Sequence, residues 1–140
     1  MGTDVSGGYA PSILRTIQDA SIASKILSIQ SDRNEIRKPG YSGRKLSVAT
    51  LLYLATLGGA HVCGLEQDIG SFKVNKSFDA LLVRVSPEAG NPGIWPPDDA
   101  QKEKDLRELL ERFLFCGDDR NIARVYVQGK LIGGKDFANC

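Results

Sequence analysis

The feature that most constrains this chain is a change of hydrophobic period near residue 65. Before it, apolar residues recur at helical spacing; after it, short runs of strand length take over. Pro11 can open a helix, because the N–H it lacks has no partner in a first turn. From there Ile13, Ile17, Ala20, Ser24 and Leu27 repeat every three or four residues, with Leu14 and Ile26 widening the stripe. The spacing predicts a helix over Pro11–Gln30 with that stripe packed inward. Residues 31–44 are polar and broken by Pro39, Gly40 and Gly43, so they read as a loop. Its basic residues, Arg33, Arg37, Lys38 and Arg44 with Lys45 beyond, are diluted by Asp32 and Glu35 and read as a solvated surface. Ser47 is placed to cap the next helix, whose inner face is Val48, Leu51, Leu52 and Ala55. Thr56 is placed to cap a further short turn closed by Gly64.

Beyond Leu65 the order is Ile69–Phe72, a turn at Asn75–Ser77, and the apolar run Ala80–Val85, which has the length of a buried strand. Residues 86–99 hold four prolines and two glycines and read as a loop. Ala100–Phe115 is an amphipathic helix with Leu106, Leu109, Leu110, Phe113 and Leu114 inward. Two strand-like runs, Ala123–Val127 and Lys130–Ile132, flank Gln128-Gly129, a two-residue hairpin signal. The class is therefore α/β. The division falls into 1–64, helical after a short β-prone start, and 65–140, small antiparallel strands with an additional helix.

Composition serves mainly to exclude. With 18 basic and 17 acidic residues the formal net charge is +1, which steers the chain toward neither nucleic acid nor an anionic membrane. No apolar run approaches the roughly 20 residues of a membrane span, and the N-terminus lacks the pattern of a secretory signal. Cys63, Cys116 and Cys140 are odd in number and widely spaced, so neither a disulfide framework nor a Cys/His metal pattern is implied. The expectation is a soluble chain with reduced thiols in the cytoplasm.

The start of the chain carries the one candidate for chemistry. In Gly2-Thr3-Asp4-Val5-Ser6-Gly7-Gly8-Tyr9 a short β-prone piece ends on a carboxylate, followed by two glycines and a helix. Asp4 is thereby expected at the C-terminal end of a strand, where α/β proteins build their sites. The other candidates carry bland readings. His61, the sole histidine, reads as a packed or surface side chain. Asp79 reads as a turn or backbone hydrogen-bond acceptor. Asp118, Asp119 and Arg120 read as a structural salt bridge or turn, and Trp95 as a loop anchor. Gly7-Gly8 before a helix suggests phosphate, yet neither GxGxxG nor GxxxxGK[ST] is present, and there is no GxSxG nucleophile elbow.

The opening octapeptide resembles the last barrel strand of the guanine deaminases, within the metal-dependent amidohydrolases. The resemblance continues through Ala55–Ala60, Gly70–Ala80, Phe115–Ile122 and Val125–Gly129, in the family's order. It implies the C-terminal remnant of an amidohydrolase (β/α)8 barrel, the last strand and helices over 1–64, followed by part of a small antiparallel β-sandwich over 65–140. A whole barrel needs about 200 residues or more, which 140 cannot supply. By the same resemblance Asp4 is the catalytic aspartate and metal ligand. Zn2+ is the family's cofactor, guanine its substrate, and hydrolysis to xanthine and ammonia the parent reaction. Nothing here matches the family's histidine ligands or catalytic glutamate, so this chain alone is expected neither to hold zinc nor to turn over. Met1 stands where the family has an apolar strand residue, which suggests a start inside a longer reading frame. The alternative is a non-catalytic truncated relative that acts as a protein-interaction module, associating with a full-length subunit or with itself.

Overall fold

The computed structural model describes residues 1–29, 45–94 and 105–137. The loop 31–44, Trp95, Cys140 and the expected helix start at Ala100 lie outside the described residues. Helix α1 covers Ile13–Ile29. Pro11 precedes it, and Ser12 acts as its cap, its hydroxyl accepting from Arg15 N at 3.3 Å. Helix α2, Val48–Ala55, opens as expected on Ser47, whose hydroxyl accepts from Thr50 N at 3.1 Å. Helix α3 is Leu57–Val62. Thr56 does not cap it. Its hydroxyl instead donates back to Leu52 O at 2.7 Å, and its backbone marks the break between α2 and α3. Gly64, at φ +69, ends α3 with Leu65 N on Ala60 O and Gly64 N on His61 O, the paired bonds of a Schellman motif.

The second half holds one antiparallel sheet in the order β1-β2-β3, with β1 at Ala80–Val83, β2 at Ile122–Val127 and β3 at Lys130–Gly133. Helix α4, Leu106–Cys116, precedes β2 and is capped by Asp105, whose carboxylate accepts from Arg107 N at 2.9 Å. The β2–β3 turn is the expected one: Gln128 at φ 50 and Gly129 at φ 77 are both left-handed, as a type I′ hairpin requires. The turn at Asn75 also forms, with Lys76 N bonded to Lys73 O. Residues 69–72 form bends rather than a strand, and the three strands are antiparallel, as expected of the second half. Residues 1–4 are not a strand either. A strand exists through its partner's hydrogen bonds, and among the described residues nothing pairs with Gly2–Asp4.

The core lies between α1, α2 and α4. Ile17, Leu51 and Leu114 are its buried centre, with Leu14, Leu46, Val48, Leu110 and Phe113 packed against it. Lys25 adds a contact with the Phe115 ring, 5.8 Å from its centroid. The expected inner stripe of α1 is corrected by the structure. Ile17 and Ser24 are buried as expected, but their companions are Ser21 and Ser28, while Ile13, Ile26 and Leu27 face outward. Ser24 and Ser28 tolerate that position because their hydroxyls bond their own helix: Ser24 donates to Ser21 O at 2.8 Å and Ser28 to Ser24 O at 2.9 Å. The apolar run of β1 is corrected too. Leu81 and Leu82 point to opposite faces and are both exposed, at 53% and 47%.

Candidate functional site

Asp4 sits on an exposed loop that closes on itself. Gly8 N donates to Asp4 O, and Asp4 takes a left-handed backbone at φ 50. The carboxylate folds over Gly7, where an added Cβ would stand 2.8 Å from Oδ2. Any side chain at Gly7 would push the carboxylate away, so the glycine serves close approach. Tyr9 ties the loop to α1: its hydroxyl donates to Asp19 Oδ2 at 2.5 Å and accepts from Arg15 Nε at 3.2 Å. Arg15 and Asp19 are themselves 3.5 Å apart.

A zinc site needs at least three protein ligands, usually nitrogen or sulfur. Among the described residues no three His, Cys, Asp or Glu side chains gather, about Asp4 or elsewhere. The described residues alone do not fit a zinc ion.

The other candidates follow their structural readings. His61 is exposed on α3, with Nδ1 3.7 Å from Glu66 Oε1. Asp79 Oδ1 accepts from Gln128 N at 2.8 Å, clamping the hairpin turn against the start of β1. Asp118 caps the short 3-10 turn Asp119–Asn121, accepting from Arg120 N at 2.9 Å. The hydrogen bond from the Arg120 guanidinium, with its charge, holds the Asp118 carboxyl below the usual carboxylate range.

Two buried asparagines escaped the sequence reading. Asn121 Oδ1 accepts from Asp118 N at 3.1 Å and from Asn91 Nδ2 at 2.7 Å, while its own Nδ2 donates to Arg84 O at 2.8 Å. Asn91 Nδ2 also reaches Cys116 O at 3.0 Å, and its Oδ1 accepts from Gly93 N at 2.8 Å. The end of α4, the 86–94 loop and the end of β1 therefore meet at one polar knot. Asn121 as the third residue after Asp118 was the available signal, since that spacing allows a reciprocal cap.

An open groove of about 880 Å³ lies between the sheet face and helices α2, α3 and α4. Leu52, Leu81, Val83, Leu109, Leu110 and Val125 are among its walls. Of the polar side chains at its edge, Asp79 Oδ1 bonds the hairpin turn and Thr56 bonds Leu52 O, and Ser71 and Cys63 also line it.

Residues 1–132 match the amidohydrolase family. A probable guanine deaminase of Schizosaccharomyces pombe is 38% identical over 140 residues, covering 96% of this chain and 23% of that protein. In the structure of E. coli guanine deaminase, 27% of the chain superposes on 96% of this one, with a TM-score of 0.68 and 28% identity. Guanine deaminase from Bradyrhizobium japonicum shares the fold, with a TM-score of 0.75 at 23% identity over 96% of this chain and 30% of that one. This chain thus spans about a quarter of the length of the curated relatives it matches.

Proposed function

This chain belongs to the amidohydrolase family, and we propose that it is the C-terminal portion of a guanine deaminase. The parent reaction is the hydrolytic deamination of guanine to xanthine and ammonia. In that reading residues 1–64 close the barrel and 65–140 belong to the sandwich. Asp4 is this chain's contribution to the catalytic and metal centre, a carboxylate that holds and moves a proton of the attacking water. The Gly7-Gly8 turn leaves room for that carboxylate, and the Tyr9–Asp19 bond ties its loop to α1. Guanine contacts and the remaining ligands come from polypeptide outside this sequence, so the isolated chain has no turnover and holds no zinc by itself. The same reading puts it in the cytoplasm, with Cys63 and Cys116 as thiols.

The observation that supports this most is the alignment with the S. pombe relative over 96% of this chain. The test is a chimera in which this chain replaces the matching segment of that relative. Guanine hydrolysis is expected from the chimera, with a loss of about 100-fold or more for Asp4→Asn, and none from this chain alone. A folded chimera without hydrolysis overturns the proposal.

A second reading, a non-catalytic interaction module, draws on the exposed apolar side chains Phe72, Val74, Leu81 and Leu106. It gains if the chimera is inactive while the isolated chain binds one partner in fixed ratio.

A further inference from the structure

Tyr9 is an exposed tyrosine whose hydroxyl is nevertheless bound from two sides. It donates to Asp19 Oδ2 at 2.5 Å and accepts from Arg15 Nε at 3.2 Å, and Arg15 and Asp19 form an i,i+4 pair 3.5 Å apart. At solvent-exposed positions such a cluster adds little to stability. Its place in the chain gives it another use. Arg15 and Asp19 stand on the turn of α1 that carries Ile17, buried at the centre of the core, and Gln18, whose Nε2 donates to Leu114 O at 3.2 Å. The phenol is therefore fastened to a turn of α1 that is itself fastened to the core.

On its other side Tyr9 follows directly on the loop that presents Asp4. Gly8 N donates to Asp4 O, so the loop closes one residue before the tyrosine. The closure is tight: an added Cβ at Gly8 would run into Thr3 O, and one at Gly7 would stand 2.8 Å from the Asp4 carboxylate. Asp4 itself is at φ 50, a left-handed backbone that a residue with a side chain keeps only where its surroundings hold it. The direction of the carboxylate thus depends on how the loop is fixed, and Tyr9 fixes the end that leads to α1.

We propose that Tyr9 is a positioning residue for Asp4: its hydroxyl, bound between Arg15 and Asp19, sets the loop at the angle to α1 at which the carboxylate meets the attacking water. The proposal rests on the deaminase reading above and adds to it a residue that touches neither substrate nor metal. A misplacement of about 1 Å at a reacting group costs up to about 100-fold in rate, and the loss of one anchoring bond is expected to cost about 10-fold.

The test uses the chimera described above together with the isolated chain. Tyr9→Phe removes the hydroxyl and keeps the ring. In the chimera it should lower kcat about 10-fold and leave KM for guanine within about 2-fold, because the guanine contacts come from the other part of the polypeptide. The melting midpoint should stay within about 1 °C, since exposed ion pairs contribute little. Asp19→Ala should match it, and the Tyr9→Phe, Asp19→Ala double variant should lose no more than either alone, the mark of two residues acting through one bond. In the isolated chain, amide exchange at Gly8 should quicken at least about 5-fold in Tyr9→Phe, a readout that needs neither metal nor turnover. An unchanged kcat, additive losses in the double variant, or Gly8 exchange equal in the two chains overturns the proposal. So does a kcat loss that comes with an equal loss of folded chimera, which makes Tyr9 a residue of the fold only. An active chimera indifferent to Tyr9→Phe sinks the positioning role alone. A folded chimera that is inactive with Tyr9 in place sinks the deaminase reading, and the positioning role with it, whatever the exchange shows.

Discussion

Replacing Asn121 with alanine removes a side chain that is fully buried and makes three hydrogen bonds. Asn91 Nδ2 keeps its second acceptor, Cys116 O. Asp118 N and Arg84 O lose the only side-chain partner described for them at that knot. At about 1 kcal/mol net per bond, and more for a buried group left unpaired, the cost is about 3 kcal/mol. For a chain of this size that lowers the melting midpoint by about 10 °C. Urea unfolding followed by far-UV circular dichroism measures it, with Asp119→Ala on the exposed side of the same turn as a control that should stay within about 0.5 kcal/mol. Asn121→Asp separates hydrogen bonding from volume. It keeps size and one acceptor oxygen but turns the donor facing Arg84 O into a second oxygen, so it should lose nearly as much. If Asn121→Ala falls within 0.5 kcal/mol of the native chain, or Asn121→Asp matches the native chain, the knot does not hold these elements together.

Gly70 lies at φ +84, and an added Cβ would meet Ala60 Cβ at 2.8 Å and Leu57 Cα at 2.9 Å. Gly70→Ala should cost about 2 kcal/mol or more in thermal unfolding, clearly above Gly64→Ala, where the added Cβ meets open space. Gln128→Asn should stabilise by a few tenths of a kcal/mol, because asparagine accepts the left-handed conformation of a type I′ turn more readily; a lower urea midpoint would count against the turn assignment. The hydrogen bonds from Arg84, at 3.3 and 3.0 Å, hold the Asp136 carboxyl below the usual carboxylate range, aided by the charges of Arg84, Arg124 and Lys135. A depressed carboxyl contributes stability that is present above its unfolded value and lost as pH falls through the folded one. The midpoint gap between native chain and Asp136→Asn should therefore be open at pH 7 and close in acid; a gap unchanged down to pH 2 refutes the pairing.

Local chemistry carried the features the sequence revealed. Ser47 as a cap, Gly64 as a helix end and Gln128-Gly129 as a hairpin each depend on a few neighbouring residues, and each is where it was expected. The bland roles of Asp79 and Asp118 were legible for the same reason. What needs distant partners was not. Gly2–Asp4 has the composition of a strand end but, among the described residues, no strand beside it. The stripe on α1 misled because hydrophobicity cannot tell that serines with self-satisfied hydroxyls will take the inner face. The groove had no signature at all, since periodicity marks which residues are apolar but not whether anything covers them. Asp4 was singled out by its place before two glycines and a helix, but the role assigned to it came only from resemblance to a family motif.

The serine face of α1 has a mechanical consequence. Hydroxyls that bond within their own helix do not fix its rotation about its axis, and small side chains offer the neighbours little to grip. Gln18 Nε2 to Leu114 O at 3.2 Å and Leu46 N to Ser24 Oγ at 3.3 Å act as pins between α1 and what it packs on. Ile22, Ile26 and Ile29, on the far side, are a more apolar face than the one now inside. Turning them inward is opposed by those polar contacts and by the burial of Ile17 against Leu51 and Leu114. α1 is thus a roller held by two teeth, and a leucine at Gln18 would file one of them down.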